Sequence, residues 1–249
     1  MSYRRAGLAL FACAPALLST TFTRSIATPA LAGLLIPAAA CADVLYGSAD
    51  NQLTLIPGNP NVSSDYALID GGTGRDHLTL NGVTLRNTAR LQHWEHIALE
   101  GGSRVELDSS LTLGDSGGLG STLEIDASSY LLQPHFAATI QPHSGQAITV
   151  ANNGVIDMRG TTANQLVIGG DYQGRGQILM DVMAGGDDSL SDRLIIDGGH
   201  AGGNTALVLH NKGGSGAATG DGILIVETHN GGTTASDAFY MPEAVSAGP

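Results

Sequence analysis

The first candidate for chemistry in this sequence is Ser116, which lies in Gly-Asp-Ser-Gly-Gly, residues 114–118. A serine hydroxyl becomes a nucleophile when a histidine accepts its proton and a carboxylate orients that histidine. Three histidines precede it in the chain: His77, His93 and His96. These histidines are the candidates for the base of such an arrangement.

The setting of Ser116 favours a turn over a catalytic role. The same five residues surround the nucleophile of chymotrypsin-like proteases, which build most of two β-barrels before that serine. Ser116 stands only 73 residues after Asp43, and no upstream histidine lies in the Ala-Ala-His-Cys sequence of that family. We therefore expect a turn serine between strands containing Leu113 and Leu123, with a secreted hydrolase that uses Ser116 as the alternative.

A second motif, Gly71–Thr79 (GGTGRDHLT), has the pattern of the calcium-binding nonapeptide of toxin-type β-rolls. Such rolls hold the ion between successive copies, because Ca²⁺ takes six or more oxygen ligands. Residues 80–88 (LNGVTLRNT) are not a second copy, and Asp76 alone supplies too few oxygens. We expect a glycine turn before a strand at Leu78–Leu80, and keep a calcium-binding β-roll as an alternative.

Other titratable residues do not form a recognisable site. Asp187 and Asp188 lie in a polar loop, which is typical of solvated carboxylates, and the histidines lack zinc-ligand spacing. We predict no catalytic, cofactor-binding or metal-binding residues, no cofactor, and no enzymatic activity.

Residues 1–42 have the composition of a secretory signal. Arg4 and Arg5 precede two apolar stretches, and the segment contains no acidic residue. We expect cleavage between Ala42 and Asp43, with acylation of Cys41 as the alternative.

The chain after the signal is strongly acidic, with 8 basic and 23 acidic residues and a net charge of −15. Such a surface repels nucleic acid, so no nucleic-acid partner is expected. Both cysteines, Cys13 and Cys41, lie within the signal, so the exported chain has none with which to form a disulfide.

The remaining sequence predicts an all-β protein. Apolar and polar residues alternate in short runs, as in residues 77–85, 96–114, 121–128 and 147–158, and Gly, Asn and Asp interrupt them. The runs recur at irregular spacings of about 20 to 33 residues, which suits a solenoid with variable turns. A glycine-rich β-sandwich is the alternative fold.

Residues 191–241 resemble the end of the passenger region of pertactin-like autotransporters of Gram-negative bacteria. Residues 91–107, in which Trp94 precedes a glutamate and an alternating strand, are similar to the coil that these passengers repeat. The matching positions near the C-terminus are Asp192, Leu194, Ile196, Gly198, Gly203, Asn204, Thr205, Leu207, Leu209, Asn211, Gly213, Gly214, Gly216, Thr219, Gly222, Ile223, Val226 and Phe239.

The resemblance implies a right-handed parallel β-helix, a non-enzymatic stalk or adhesin exported through an outer-membrane translocator barrel. Its expected partners are that barrel and a ligand on a host or neighbouring cell. We predict a signal at 1–42, passenger coils at 43–165, and a C-terminal passenger segment at 166–249 that leads toward an autochaperone and barrel. Because no barrel follows Pro249, we expect a truncated passenger, which would stay in the periplasm if expressed alone.

Overall fold

The computed structural model describes residues 43–59, 62, 67–108, 110–134, 137–143 and 145–246. The predicted signal at 1–42 lies outside this part of the chain. In the described part no helix is long and apolar enough to cross a membrane.

The described chain winds into coils that place strands on three faces. The first face has β1 (Val44–Leu45), β3 (Ile69–Asp70), β6 (Leu91–Gln92), β9 (Ser110–Leu113), β12 (Ala137–Pro142), β15 (Gln165–Ile168), β18 (Arg193–Asp197) and β21 (Val226–His229). The second has β2 (Gln52–Leu55), β4 (His77–Asn81), β7 (His96–Glu100), β10 (Ser121–Ile125), β13 (Ile148–Asn152), β16 (Asp171–Gly174), β19 (His200–Gly203) and β22 (Thr233–Thr234). The third has β5 (Thr84–Leu85), β8 (Arg104–Glu106), β11 (Tyr130–Leu132), β14 (Val155–Asp157), β17 (Gln177–Val182), β20 (Thr205–Asn211) and β23 (Phe239–Tyr240).

Strands on each face pair in parallel with those of neighbouring coils, so like residues stack. On the second face the inward stack is Leu78, Ile97, Leu123, Val150 and Tyr172. On the third face it is Val105, Leu131, Ile156, Ile178 and Leu207. These side chains form one continuous, almost fully buried core. A slip of one residue would turn each inward side chain outward, so burial fixes the register.

Glycine makes the sharp corners between faces possible. Between β7 and β8 the chain turns at Gly101 and Gly102, whose φ angles are 62° and 80°. This left-handed region is open to glycine at little cost, and the bend aims β8 onto the third face. The all-β parallel β-helix predicted from the sequence is confirmed, and the β-sandwich alternative is excluded because sandwich sheets are antiparallel.

Candidate ligand-binding site

The ladder of the first face is interrupted between β6 and β9. Strand β6 pairs with β3, and β9 pairs with β12, but β6 and β9 belong to different sheets in the described chain. The two coils are joined where the backbone N–H of Gly114 donates to the carbonyl of Trp94 at 2.8 Å. Next to that contact, β6 and β9 line an open cavity of about 240 Å³, which we call the β6–β9 cavity.

The local sequence explains the interruption. A 3₁₀ helix at Thr88–Arg90 leads into β6, and the residue before it, Asn87, has a left-handed φ of 56°. His93, immediately after β6, has the same φ of 56° and ends the strand after two residues. A left-handed conformation at a non-glycine residue costs on the order of 1–3 kcal/mol and persists only where its surroundings hold it.

A carboxylate from the preceding coil holds His93 in place. Its Nδ1 lies 2.7 Å from Oδ1 of Asp70, in hydrogen-bonding and ion-pair range. The imidazole of His143, from the opposite wall, has its ring centroid 6.0 Å from that of His93. The backbone N–H of His143 donates to the carbonyl of Leu113 at 2.8 Å, which fixes this wall to the end of β9.

Five of the eight described residues that line the cavity have polar side chains. The described lining residues are Ala89, Leu91, Gln92, His93, Ser110, Thr112, Gly114 and His143. Nδ1 of His143 is buried and has no hydrogen-bond partner among the described residues. Thr112 Oγ1 accepts a hydrogen bond from Gln141 Nε2 at 3.2 Å. Hydroxyl, amide and imidazole groups can both donate and accept, so the arrangement suits a ligand with hydroxyl groups.

Asp70 and His93 form an acid–imidazole pair, but a nucleophile is not assembled beside them. Among the hydrogen bonds between described residues, none joins the hydroxyl of Ser110 or Thr112 to either imidazole.

Ser116 lies outside this cavity, in an exposed turn between β9 and β10. The turn is held by Asp115, whose Oδ1 accepts the backbone N–H of Gly117 at 2.6 Å. No hydrogen bond between described residues links Ser116 to a histidine.

Asp76, the carboxylate of the motif that resembles a calcium-binding nonapeptide, is fully buried inside the β-helix. Its Oδ1 accepts hydrogen bonds from the backbone N–H of Asn51 at 2.7 Å and from Asn51 Nδ2 at 2.8 Å. Its own N–H donates to Oε2 of Glu95, one coil further on, at 2.8 Å. Burial raises the pKa of both carboxyl groups. Asn51, Asp76 and Glu95 thus form a polar ladder that joins three coils.

Millimolar Ca²⁺ is expected to leave the melting temperature unchanged. Asp76 is enclosed by the ladder, and no group of three or more His, Cys, Asp or Glu among the described residues is arranged to hold a metal ion. Thermal unfolding with and without Ca²⁺, with Mg²⁺ as the control, measures this. A rise of several degrees specific to Ca²⁺ would contradict it, since a ligand that binds only the folded state must stabilise it.

Asp187 has a structural role that its loop sequence did not indicate. Its exposed carboxylate accepts backbone N–H groups from Gly220 at 3.0 Å, Asp221 at 3.2 Å and Gly222 at 2.9 Å. These hydrogen bonds lower the pKa of Asp187. The carboxylate thereby ties the loop after β17 to the loop after β20.

From the sequence, His93 was a candidate only as a base for Ser116. No local pattern linked it to Asp70 or His143. Asp70 and His93 are 23 residues apart, close to one coil. The repeat spacing is the signal that could have paired them, because side chains one coil apart stack in a β-helix.

Comparison with known proteins shows which family the C-terminal part of the chain matches. Residues 144–249 match the family Autochaperone Domain Type 1. The chain is 34% identical over 126 residues to a probable autotransporter, YfaL, of Escherichia coli (strain K12), covering 51% of this chain and 9% of the relative. It is 30% identical over 193 residues to an uncharacterized protein, YuaQ, of the same organism, covering 76% and 13%.

A third relative is described as an adhesin. The chain is 29% identical over 201 residues to the Adhesin BmaC autotransporter of Brucella suis biovar 1 (strain 1330), covering 74% of this chain and 6% of the relative. The chain thus spans a small part of the length of each of these relatives. With the parallel β-helix described above, these matches show that the chain is an autotransporter passenger region in which residues 144–249 form a type 1 autochaperone domain.

Proposed function

We propose that this passenger region is a non-enzymatic, surface-displayed stalk with an adhesin-like role, carried outward by an outer-membrane translocator barrel. The observation that supports it most is the unbroken stack of aliphatic side chains through successive coils. Each coil contacts its neighbours through a close-packed, mainly aliphatic core, which makes a stiff rod. The connecting turns lie outside the stack, where they can vary and make contacts without disturbing it.

The autochaperone domain supports a folding role within the same export route. Residues 144–249 include β17 and β20, which pair over six residues, from Gln177 opposite Ala206 to Val182 opposite Asn211. In a solenoid, folding can begin in the most stable coils and propagate to their neighbours. We propose that these coils order first and template the coils before them. The division into coils at 43–165 and a terminal segment at 166–249 remains a prediction.

The adhesin-like role is supported by the relative described as an adhesin and by the presence of a polar cavity on the outside of the stalk. We propose that the ligand is carried by a host or neighbouring cell. The recognising groups would be those of exposed turns and of the β6–β9 cavity, since the core side chains are inaccessible.

Fusion to a translocator barrel is expected to place this chain on the cell surface, where protease added to intact cells digests it. The same chain expressed without a barrel is expected to remain in the periplasm, where the added protease does not digest it. A soluble periplasmic protein that stays intact under both conditions is the control. Digestion of the unfused chain, or protection of the fused one, would contradict the proposed route.

Cells that display the chain should then adhere better than cells that display the barrel alone.

A further inference from the structure

We infer that the β6–β9 cavity binds one ring of a neutral saccharide. This inference deepens the proposed adhesin-like role and rests on it for its biological setting. The cavity itself is a property of the folded chain, so binding can be measured apart from display.

The size of the cavity limits the ligand. Its volume of about 240 Å³ lies below the range of roughly 300–1,000 Å³ typical of pockets for drug-sized molecules. A single pyranose ring is of suitable size, and a larger ligand would place only one unit of that size in the cavity. A longer saccharide would place one ring here and extend into solvent.

The charges around the cavity favour a neutral ligand. The described lining contains no lysine, arginine, aspartate or glutamate. The nearby carboxylate of Asp70 is occupied by His93 at 2.7 Å. An ion entering the cavity would lose hydration without meeting a lysine, arginine, aspartate or glutamate among the described lining residues, which is unfavourable.

The polar groups match those of a sugar. A sugar hydroxyl both donates and accepts a hydrogen bond, as do the hydroxyls of Ser110 and Thr112 and the amide of Gln92. Leu91 is 2% exposed and belongs to the core, so the exposed methyl group of Ala89 supplies the apolar part of the lining.

The walls are preorganised. Ser110 and Thr112 lie on β9, which pairs in register with β12: Ser110 opposes Thr139, and Thr112 opposes Gln141. His93 is held by Asp70 in a left-handed conformation. A ligand therefore need not order the cavity when it binds, and this reduces the entropic cost of binding.

The test is saturation-transfer NMR and calorimetry on the full chain with methyl glycosides of glucose, galactose, mannose and N-acetylglucosamine. Acetate and sulfate serve as charged comparison probes. We expect at least one glycoside to bind at millimolar concentration and neither ion to compete. The double variant Ser110→Ala/Thr112→Val should weaken binding by about tenfold, since it removes two hydrogen-bonding hydroxyls.

Two further variants separate binding from folding. Ala89→Phe adds a ring at the exposed rim, where Ala89 lines the cavity, and should abolish binding without removing core atoms. Thr139→Val is the matched control, because Thr139 opposes Ser110 one coil further on and does not belong to the described lining. It should leave binding within about twofold of the parent. Circular dichroism checks that each variant is folded.

Three results would overturn the inference: no binding of any glycoside by the folded parent chain, equal losses in Thr139→Val and the double variant, or preferential binding of an ion. Because these measurements are made in solution, they are independent of surface display. A chain that binds glycosides but stays protected on cells would refute the display proposal alone. A chain that is displayed and binds no glycoside would refute this inference alone.

Discussion

Replacing Trp94 with alanine is expected to destabilise the folded protein by about 3–5 kcal/mol, the range for truncating a buried large aromatic side chain. Trp94 is fully buried between the first coils. Its Nε1–H donates to the carbonyl of Ile69 at 2.9 Å, and its ring meets that of Tyr46 edge to face with centroids 6.0 Å apart. Alanine would leave a cavity in the core and remove the hydrogen bond to Ile69. Urea unfolding followed by circular dichroism measures the loss.

Two variants give this prediction its controls. Trp94→Phe keeps most of the apolar volume and removes the hydrogen bond, so its cost should be smaller, about 1–3 kcal/mol. Tyr240→Ala truncates an aromatic side chain that is 46% exposed, and should change stability by less than about 0.5 kcal/mol. A loss below about 1 kcal/mol for Trp94→Ala would show that this side chain does not anchor the first coils.

The second large expected effect is a loss of stability as the pH rises from about 4 to 6.5. Burial raises the pKa of Asp192 from 3.8 to about 6, although backbone N–H groups of Asp181 and Asn164 stabilise its charged form. A raised carboxyl pKa means that the folded state binds the proton more tightly than the unfolded state. The contribution is therefore complete below the unfolded pKa near 3.8 and is lost as the pH rises through about 6. A shift of this size corresponds to about 3 kcal/mol.

The charged groups around Asp192 also favour a raised pKa for its carboxyl group. Asp192 and Asp181 are both buried, at 0% and 1% exposure, and their negative charges repel each other. His210 Nδ1 lies 3.1 Å and Lys212 Nζ 3.6 Å from the carboxylate of Asp181, so the available positive charge pairs with Asp181. Burial also raises the pKa of Asp76, which adds to the same trend.

Unfolding by urea at several pH values tests this dependence. The variant Asp192→Asn removes the titrating group and should flatten the curve between about pH 4 and 6.5. The amide cannot accept both backbone hydrogen bonds, so the variant should also be less stable overall. Asp188→Asn, at an exposed loop carboxylate, is the control and should leave the curve unchanged. An unaltered pH dependence in Asp192→Asn would refute the assignment.

Asp157, whose pKa is lowered with Arg159 as its partner, stabilises the fold above its unfolded pKa and loses that effect in acid.

Several features of the protein were accessible from the sequence because they depend on short-range patterns. Alternating side chains such as those of residues 121–125 place one face inward in any sheet, and paired glycines such as Gly101–Gly102 allow the corners. The recurrence of these units pointed to a solenoid. The ordered matches in residues 191–241 pointed to the passenger family, and residues 144–249 match its autochaperone domain.

The candidate site needed the tertiary structure. Asp70, His93 and His143 come from different coils. The repeat spacing suggests that Asp70 and His93 are neighbours, but coil lengths vary, so spacing does not show that His143 lies beside them. Local motifs were ambiguous for the same reason: Asp76 has the sequence context of a calcium ligand, yet the next coils enclose it between Asn51 and Glu95.

What the sequence by itself determined was therefore the type of element and the class of fold, since alternation, turns and charge act within a few residues. Only the tertiary structure decided which side chains meet across coils and that β6 and β9 separate to form a cavity. The physical reason is that the contacts of a β-helix lie about one coil apart along the chain, and their register is set by the collective burial of the aliphatic stack.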